Sequence, residues 1–500
     1  MEATQVVITT IAKETWSTGY NSILRIENKT DINYQNWKII VDTTSTINWS
    51  DNLKITKNDK NIILEPQSYC PVLSKGKILN INYGGSGKMP INFTFVGTPT
   101  PTPTPTPRSK KKIFGYFSEW SIYGRTFSVE KIPVKNLTHI VYAFMLPNPS
   151  QGDYDIFKRN NSFPPLPYYP PPKKAEGVLT THDEYANQIN IGKLKTLKIQ
   201  NPNIKILISI GGWTLSWTFS KIMKDKTLRQ NLIKSSVDFI INNGFDGIDI
   251  DWEFVGKQGI GFNYVDVKND GPNFVIFLQE LRNEMNIRSP NKYLEITAAT
   301  GCDPVVINNY KGTEPYMDYL LLMTYDFSGS WDNYAGNLSG LYYDPNSKMD
   351  PSFNVHSSVE NAKKIGYKPE KICIGVPIYG RGWSNVQPID ISKGIYGPCS
   401  GTAKSLSGIN GEPGMSSWKD MRDIFKNPEW ISGINQISFS AYAYNKNTKE
   451  GWTYENTETV KHKAKYVIDN NLGGCLLWEL SDDTRDNKEN ILNTLLQSLN

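Results

Sequence analysis

Eight apolar runs of strand length recur between residues 111 and 500: Ile113 to Phe117, His139 to Phe144, Lys205 to Ile210, Gly247 to Glu253, Tyr293 to Thr300, Tyr319 to Asp326, Lys371 to Tyr379 and Gly473 to Leu480. Helix-period segments separate several of them, such as Thr227 to Asn242, Asn273 to Arg288 and Ser352 to Ile365, and Lys488 to Leu499 closes the chain. Strands that alternate with helices lie parallel, because only a long crossover can return the chain to the same edge of the sheet. Eight such units predict an α/β fold, a closed (β/α)8 TIM barrel with insertions. Its chemistry belongs at the C-terminal ends of the strands. One connection, from Trp383 to about Gln436 between strands seven and eight, is too long for a barrel loop and shows no barrel repeat.

Ahead of the barrel, Thr98 to Pro107 alternates Thr and Pro without interruption. Every second residue lacks an N–H, so this segment can form neither helix nor sheet ladder and is an extended spacer. With the residues to 110 it separates an N-terminal domain, 1–97, from a larger one, 111–500. The first domain reads as an all-β sandwich: Ser22 to Glu27, Trp37 to Val41 and Ile78 to Tyr83 are short alternating runs broken by Asn, Asp, Gly and Lys. A second proline-rich stretch, Phe163 to Pro172, lies inside the larger domain and is expected to be a surface loop.

A net charge of +5, with both signs spread along the chain, gives no reason to expect nucleic acid or an anionic membrane as partner. No apolar stretch approaches the roughly 20 residues that cross a bilayer. Met1 to Trp16 lacks the regions of a secretory signal, so no signal peptide is expected in this chain. Cys70, Cys302, Cys373, Cys399 and Cys475 are sparse, odd in number and without CxxC spacing, which predicts no disulfide framework, no zinc and no other metal.

The fourth run carries chemistry. Asp246-Gly247-Ile248-Asp249-Ile250-Asp251-Trp252-Glu253 alternates acidic and apolar residues, so on a strand Asp249, Asp251 and Glu253 share one face and Ile248, Ile250 and Trp252 the other. Next-but-one side chains lie roughly 6 to 7 Å apart, and in a dehydrated pocket at least one carboxyl then keeps its proton. A carboxyl protonated near neutral pH is the general acid that glycosidic cleavage requires. A solvated acidic edge strand conflicts with the four apolar residues in the run. A calcium loop conflicts with β-branched residues where turn residues belong.

This run resembles the DxxDxDxE signature of family 18 glycoside hydrolases, the chitinases and their relatives. Ser209-Ile210-Gly211-Gly212-Trp213 is similar to the family's SxGG motif, and Met323-Thr324-Tyr325-Asp326, Tyr379-Gly380-Arg381 and Trp478-Glu479-Leu480 follow in the family's order. The resemblance implies a barrel with a small α+β insertion at about 384–436, no cofactor, and a retaining reaction in which the 2-acetamido oxygen of the sugar attacks its own anomeric carbon. Glu253 then protonates the leaving oxygen and later activates water, Asp251 holds the acetamido N–H, and Asp249 shares a proton with Asp251. Tyr325 positions the acetamido carbonyl, with Met323 and Asp326 beside it, and Trp478 is the floor under the sugar. Tyr116 and Ser209 bond the inner aspartate. Phe144 and Asp246 are also placed among the substrate contacts, although the phase of Asp246 suits ordering of the local backbone. Trp213 and Trp331 resemble aromatic subsites beyond the cleavage point, and Tyr379 and Arg381 contact sugar hydroxyls on the other side.

The N-terminal domain resembles a family 2 carbohydrate-binding module through Thr15-Trp16-Ser17-Thr18-Gly19-Tyr20 and Asn48-Trp49, with Trp16, Trp49 and Tyr69 as its aromatic triad. Together these resemblances imply an extracellular, secreted, monomeric chitinase. It acts on chitin and chitooligosaccharides and meets crystalline polysaccharide through the small domain. An endo-N-acetylglucosaminidase and a non-hydrolytic chitin-binding lectin on the same barrel are the alternatives. Retention of Glu253 argues against the lectin, and the insertion with its aromatic subsites favours a linear polymer.

Overall fold

The computed structural model describes residues 6–30, 34–42, 46–66, 72–73, 76–99, 111–160, 172–408 and 411–500. Tyr69, Cys70, most of the Thr-Pro spacer and most of the second proline-rich stretch lie outside the described residues. The chain divides into two compact units, Met1–Arg108 and Ser109–Asn500.

In the first unit two antiparallel sheets share one core. Val6–Trp16, Gly19–Asn28, Ile78–Ser86 and Thr46–Ser50 pair in that order, and the second sheet is built around Tyr34–Asp42. The period-two pattern does the sorting: on Gly19–Asn28, Tyr20, Ser22, Leu24, Ile26 and Asn28 are buried while most intervening residues are half-buried. Leu24 and Ile26 meet Ile39, Val41, Leu64 and Tyr83 in this core.

In the second unit eight parallel strands close on themselves. They are β1 (Lys112–Ser118), β2 (His139–Pro147), β3 (Lys205–Gly211), β4 (Gly247–Asp251), β5 (Glu295–Thr300), β6 (Tyr319–Leu322), β7 (Ile372–Pro377) and β8 (Gly474–Trp478). Neighbours pair in sequence order, and β1 pairs with both β2 and β8, which closes the TIM barrel that the alternation of runs predicts. The outward strand residues pack under a helical layer: Ile208, Ile248 and Ile250 join Leu232, Val237 and Ile240 of helix Lys226–Asn243 and Phe274, Leu278 and Leu281 of helix Asp270–Arg288 in one buried cluster. Each helix presents residues three and four apart to the barrel, as its period requires. Asp225 starts the first of these helices by accepting from the N–H groups of Thr227 and Leu228, and Gly244 ends it at φ 70°.

Two boundaries differ from expectation. β4 ends at Asp251 rather than Glu253: the carbonyl of Asp251 still takes the ladder bond from Gly212 N (2.7 Å), but Ser216 Oγ comes between the strands beyond it, donating to Gly212 O (2.8 Å) and accepting from Glu253 N (3.0 Å). Trp252 nevertheless keeps the outward phase, buried and stacked on Phe219 with ring centroids 5.4 Å apart. Between β7 and β8 lies a five-stranded antiparallel sheet in the order Met415–Ser417, Tyr379–Trp383, Glu450–Tyr454, Ala441–Asn445 and Trp430–Ile434. It extends beyond 384–436 on both sides, since Gly380 to Trp383 find their partners in Gly451 to Tyr454. No helix among the described residues is long and apolar enough to cross a membrane. Cys302, Cys373, Cys399 and Cys475 are buried free thiols.

Candidate active site

The parallel register brings Ser209, Asp249 and Thr297 level on β3, β4 and β5, and Gly211, Asp251 and Ala299 level one layer higher. Asp249, fully buried, therefore receives three hydroxyl donors: Ser209 Oγ (2.7 Å) and Tyr116 Oη (2.9 Å) on Oδ2, and Thr297 Oγ1 (2.6 Å) on Oδ1. Burial raises its pKa, and the hydroxyl donors oppose that rise. Asp251 is nearly as deep, yet among the described residues no group hydrogen-bonds its Oδ1. Its pKa is pushed well above the carboxylate range by burial first, then by the nearby Glu253 and Asp249.

Glu253 is half-buried, with its carboxyl withdrawn from water. Burial, then the charge of Asp326, pushes its pKa up to about 8. Past the end of the ladder its backbone is held from both sides, its N–H by Ser216 Oγ (3.0 Å) and its carbonyl by Asn263 Nδ2 (2.7 Å). Glu253 and Asp251 interact directly, so their titration belongs to the pair.

The two glycines after Ser209 make this approach possible. Both have positive φ, 117° at Gly211 and 92° at Gly212. A Cβ on Gly211 would stand 2.1 Å from the carbonyl oxygen of Asp251, and one on Gly212 would stand 2.7 Å from the ring of Phe144.

Aromatic rings surround the row. Trp478, at the end of β8, is half-buried and stacks on Phe144 (5.7 Å, 22°) and meets Tyr116 edge-on (5.5 Å). Tyr325 lies half-buried after β6, and burial with Asp251, Asp326 and Glu253 around it holds its hydroxyl protonated, hence able to donate. Met323 packs partly buried in the same mouth cluster. Asp326 takes a left-handed conformation (φ 54°) and is gripped by both nitrogens of a fork, Arg381 Nε at 2.8 Å and Nη2 at 3.0 Å. The Arg381 guanidinium also lies 5.2 Å from the ring centre of Trp331 and 5.4 Å from that of Tyr379. Trp331 and Trp213 are 59% and 48% exposed, too open for core residues.

Asp246 requires a correction. It precedes β4 at the opposite, N-terminal mouth of the barrel, where it accepts from Ile206 N (2.9 Å) and pairs with Lys198 (2.8 Å) and Lys292 (3.1 Å). It orders backbone there and is no substrate contact. A cavity of about 490 Å³ lined by Lys173, Thr180, Glu184, Asn187 and Phe239 shares no residue with the carboxylate row. Its one carboxylate, Glu184, is paired with Lys173 (3.2 Å).

Four site residues were not anticipated from the sequence, Asn263 at the Glu253 carbonyl among them. Thr297 and Ser216 hold Asp249 and Glu253, and Trp120 lies 36% exposed with its ring 6.2 Å from Phe144 and 6.5 Å from Trp478. Trp120 follows the end of β1 by two residues, and that position at the catalytic mouth is the signal that could have found it.

An acidic row of this kind at the C-terminal mouth of a (β/α)8 barrel suits the paired-carboxyl chemistry of a glycoside hydrolase. Residues 112–483 match the model of glycosyl hydrolases family 18, and the chain belongs to that family. It is 31% identical over 407 residues to a chitinase of Autographa californica nuclear polyhedrosis virus, spanning 76% of this chain and 71% of the viral protein. Among solved structures it is similar to chitinase ChiA74 from Bacillus thuringiensis (TM-score 0.68, 30% identity, 78% of this chain and 69% of that one). It is also similar to the Ostrinia furnacalis Group IV chitinase in complex with allosamidin (TM-score 0.65, 26% identity, 77% and 97%).

Proposed function

We propose that this chain is a chitinase that hydrolyses β-1,4 linkages between N-acetylglucosamine units with retention, the substrate's own acetamido group serving as nucleophile. The observation that carries this reading is the unsatisfied Oδ1 of buried Asp251 beside half-buried Glu253. A buried acceptor without a donor is costly, and an acetamido N–H is a donor the substrate brings.

Of the neighbouring carboxylates, Asp251 keeps one oxygen without a partner, which is assigned here to the acetamido N–H, and the other two are engaged. Asp249 is saturated by three hydroxyls, and both oxygens of Asp326 are held by Arg381. In the proposed cycle Glu253, protonated at neutral pH, gives its proton to the leaving oxygen. The acetamido oxygen closes on C1, with its N–H on Asp251 and its carbonyl near the Tyr325 hydroxyl. Water then opens the oxazolinium ring as Glu253 takes the proton back. Trp478 lies beneath the reacting sugar, flanked by Phe144 and Trp120. The chitinase names of the relatives support this substrate. The N-acetylglucosamine tetramer should be cut at least about a thousandfold faster than cellotetraose, which lacks the internal nucleophile. Comparable rates on the two would reject this reading.

The N-terminal unit is proposed to hold the enzyme on solid polysaccharide, as in a family 2 carbohydrate-binding module. Trp16 and Trp49 are 51% and 45% exposed. A Cβ on Gly19 would touch the Trp16 ring at 2.7 Å, and one on Gly84 would touch both Trp49 (2.5 Å) and Asn21 (2.6 Å). Gly19 and Asn21 are two apart on one strand, so both indoles lie on the same face of the four-stranded sheet, opposite the core residues Tyr20 and Leu24. Trp16→Ala with Trp49→Ala is expected to weaken pelleting with insoluble chitin by about tenfold or more, and unaltered pelleting would contradict the assignment.

A further inference from the structure

Lys463 and Glu455 are each 1% exposed, with Nζ and Oε1 2.6 Å apart. A buried ion pair is expensive to desolvate and persists where its remaining hydrogen-bonding capacity is met. Glu455 accepts from Thr459 Oγ1 on Oε2 and has only the ammonium at Oε1, whereas Lys463 meets its remaining capacity at the end of β6 and on β7. Lys463 Nζ donates to Ser339 Oγ and, at 3.4 Å, to the carbonyl of Gly375, and Ser339 Oγ donates onward to the carbonyl of Thr324. Thr324 closes the loop, its Oγ1 donating to Gly375 O (3.0 Å) and accepting from Gly375 N (2.8 Å).

The next residue is Tyr325. Its ring lies directly on Gly375, where a Cβ would come within 2.6 Å of Cε1. Beyond β6 the ladder is lost and the N–H groups of Thr324 and Tyr325 reach back only to Leu322 (2.8 Å) and Met323 (2.7 Å). The left-handed Asp326 follows. A turn without ladder partners takes its position from what grips it: Gly375 holds the Thr324 hydroxyl, Arg381 holds Asp326, and the grip on the Thr324 carbonyl traces through Ser339 to the Lys463 ammonium.

We infer that Lys463 is a positioning residue for Tyr325: through Ser339 and Gly375 it fixes the turn that aims the tyrosine hydroxyl at the acetamido group. This rests on the chitinase reading above. The pair with Glu455 is net neutral, so Lys463 acts through geometry rather than by adding charge to the carboxylate row. Helix Thr457–Asp469 carries Lys463, and Glu455 immediately follows the last strand of the insertion, so the insertion is tied to the catalytic turn at the same point.

The test measures kcat and KM on the N-acetylglucosamine tetramer for Lys463→Met, Tyr325→Phe and the double variant. Lys463→Met should lower kcat about 10- to 100-fold with KM within about threefold, the size expected when a positioning contact is lost. In the Tyr325→Phe background the further loss should be under about threefold, because the group being aimed is already gone. Parental kcat in Lys463→Met, or losses that multiply in the double variant, would overturn the inference. Should Lys463→Met fail to fold, Ser339→Ala breaks the same relay without stranding Glu455, and the same two outcomes decide. A parent enzyme that leaves the tetramer intact rejects the chitinase reading itself, and this role of Lys463 with it.

Discussion

Glu253→Gln is expected to lower kcat on chitin oligosaccharides by about 10³- to 10⁴-fold while oligosaccharide affinity stays within a few fold. The amide keeps the shape and most hydrogen bonds of the carboxyl but has no transferable proton, and the same group is needed both to protonate the leaving oxygen and to activate water. Turnover kinetics and calorimetric titration of the same variant separate the two effects, and parental turnover would remove Glu253 from its role. The pH profile offers a matching sign. The acid must be protonated to act and its pKa is raised to about 8, so the parental rate holds through neutral pH and falls as pH rises through that value. That alkaline limb should be missing from whatever rate the Gln variant retains.

Asp251→Asn should cost about 10²- to 10³-fold in kcat with a much smaller change in KM, the mark of an interaction strengthened in the transition state. The substrate's acetamido N–H could still find an amide oxygen. What the neutral amide cannot do is pass a proton to Asp249 and then, as a carboxylate would, stabilise the positive charge that grows as the oxazolinium ring closes, and in a site this dry that effect is large. Asp249 and its three donors remain in the variant, so circular dichroism and the unfolding midpoint should be close to parental. A variant with parental kcat would move the second carboxylate role elsewhere.

The period-two row made Asp249 and Asp251 legible, because strand geometry alone decides which face each side chain takes, and it put Trp252 correctly on the outer face. It could not show that the ladder ends at Asp251, since this depends on the Ser216 hydroxyl, from beyond another strand end, taking the Glu253 N–H and the Gly212 carbonyl that would have continued it. Thr297 was invisible for a related reason: a threonine in a strand looks like any β-former until the parallel register sets it beside Asp249. Asp246 was drawn into the site by its motif although its phase already pointed away, and the two lysines beside it show that phase was the better guide. The insertion is wider than its composition suggested because Tyr379–Trp383 pairs with a strand some 70 residues on, a distance over which local pattern carries no information.

Proton NMR of the first products released from the N-acetylglucosamine tetramer addresses the nucleophile directly. An acetamido group attacking from within the substrate, followed by water from the opposite face, predicts that new reducing ends appear first as the β anomer and only later mutarotate. New ends that appear first as the α anomer would mean a single displacement by water, and the roles of Asp251 and Tyr325 in ring closure would fall with it.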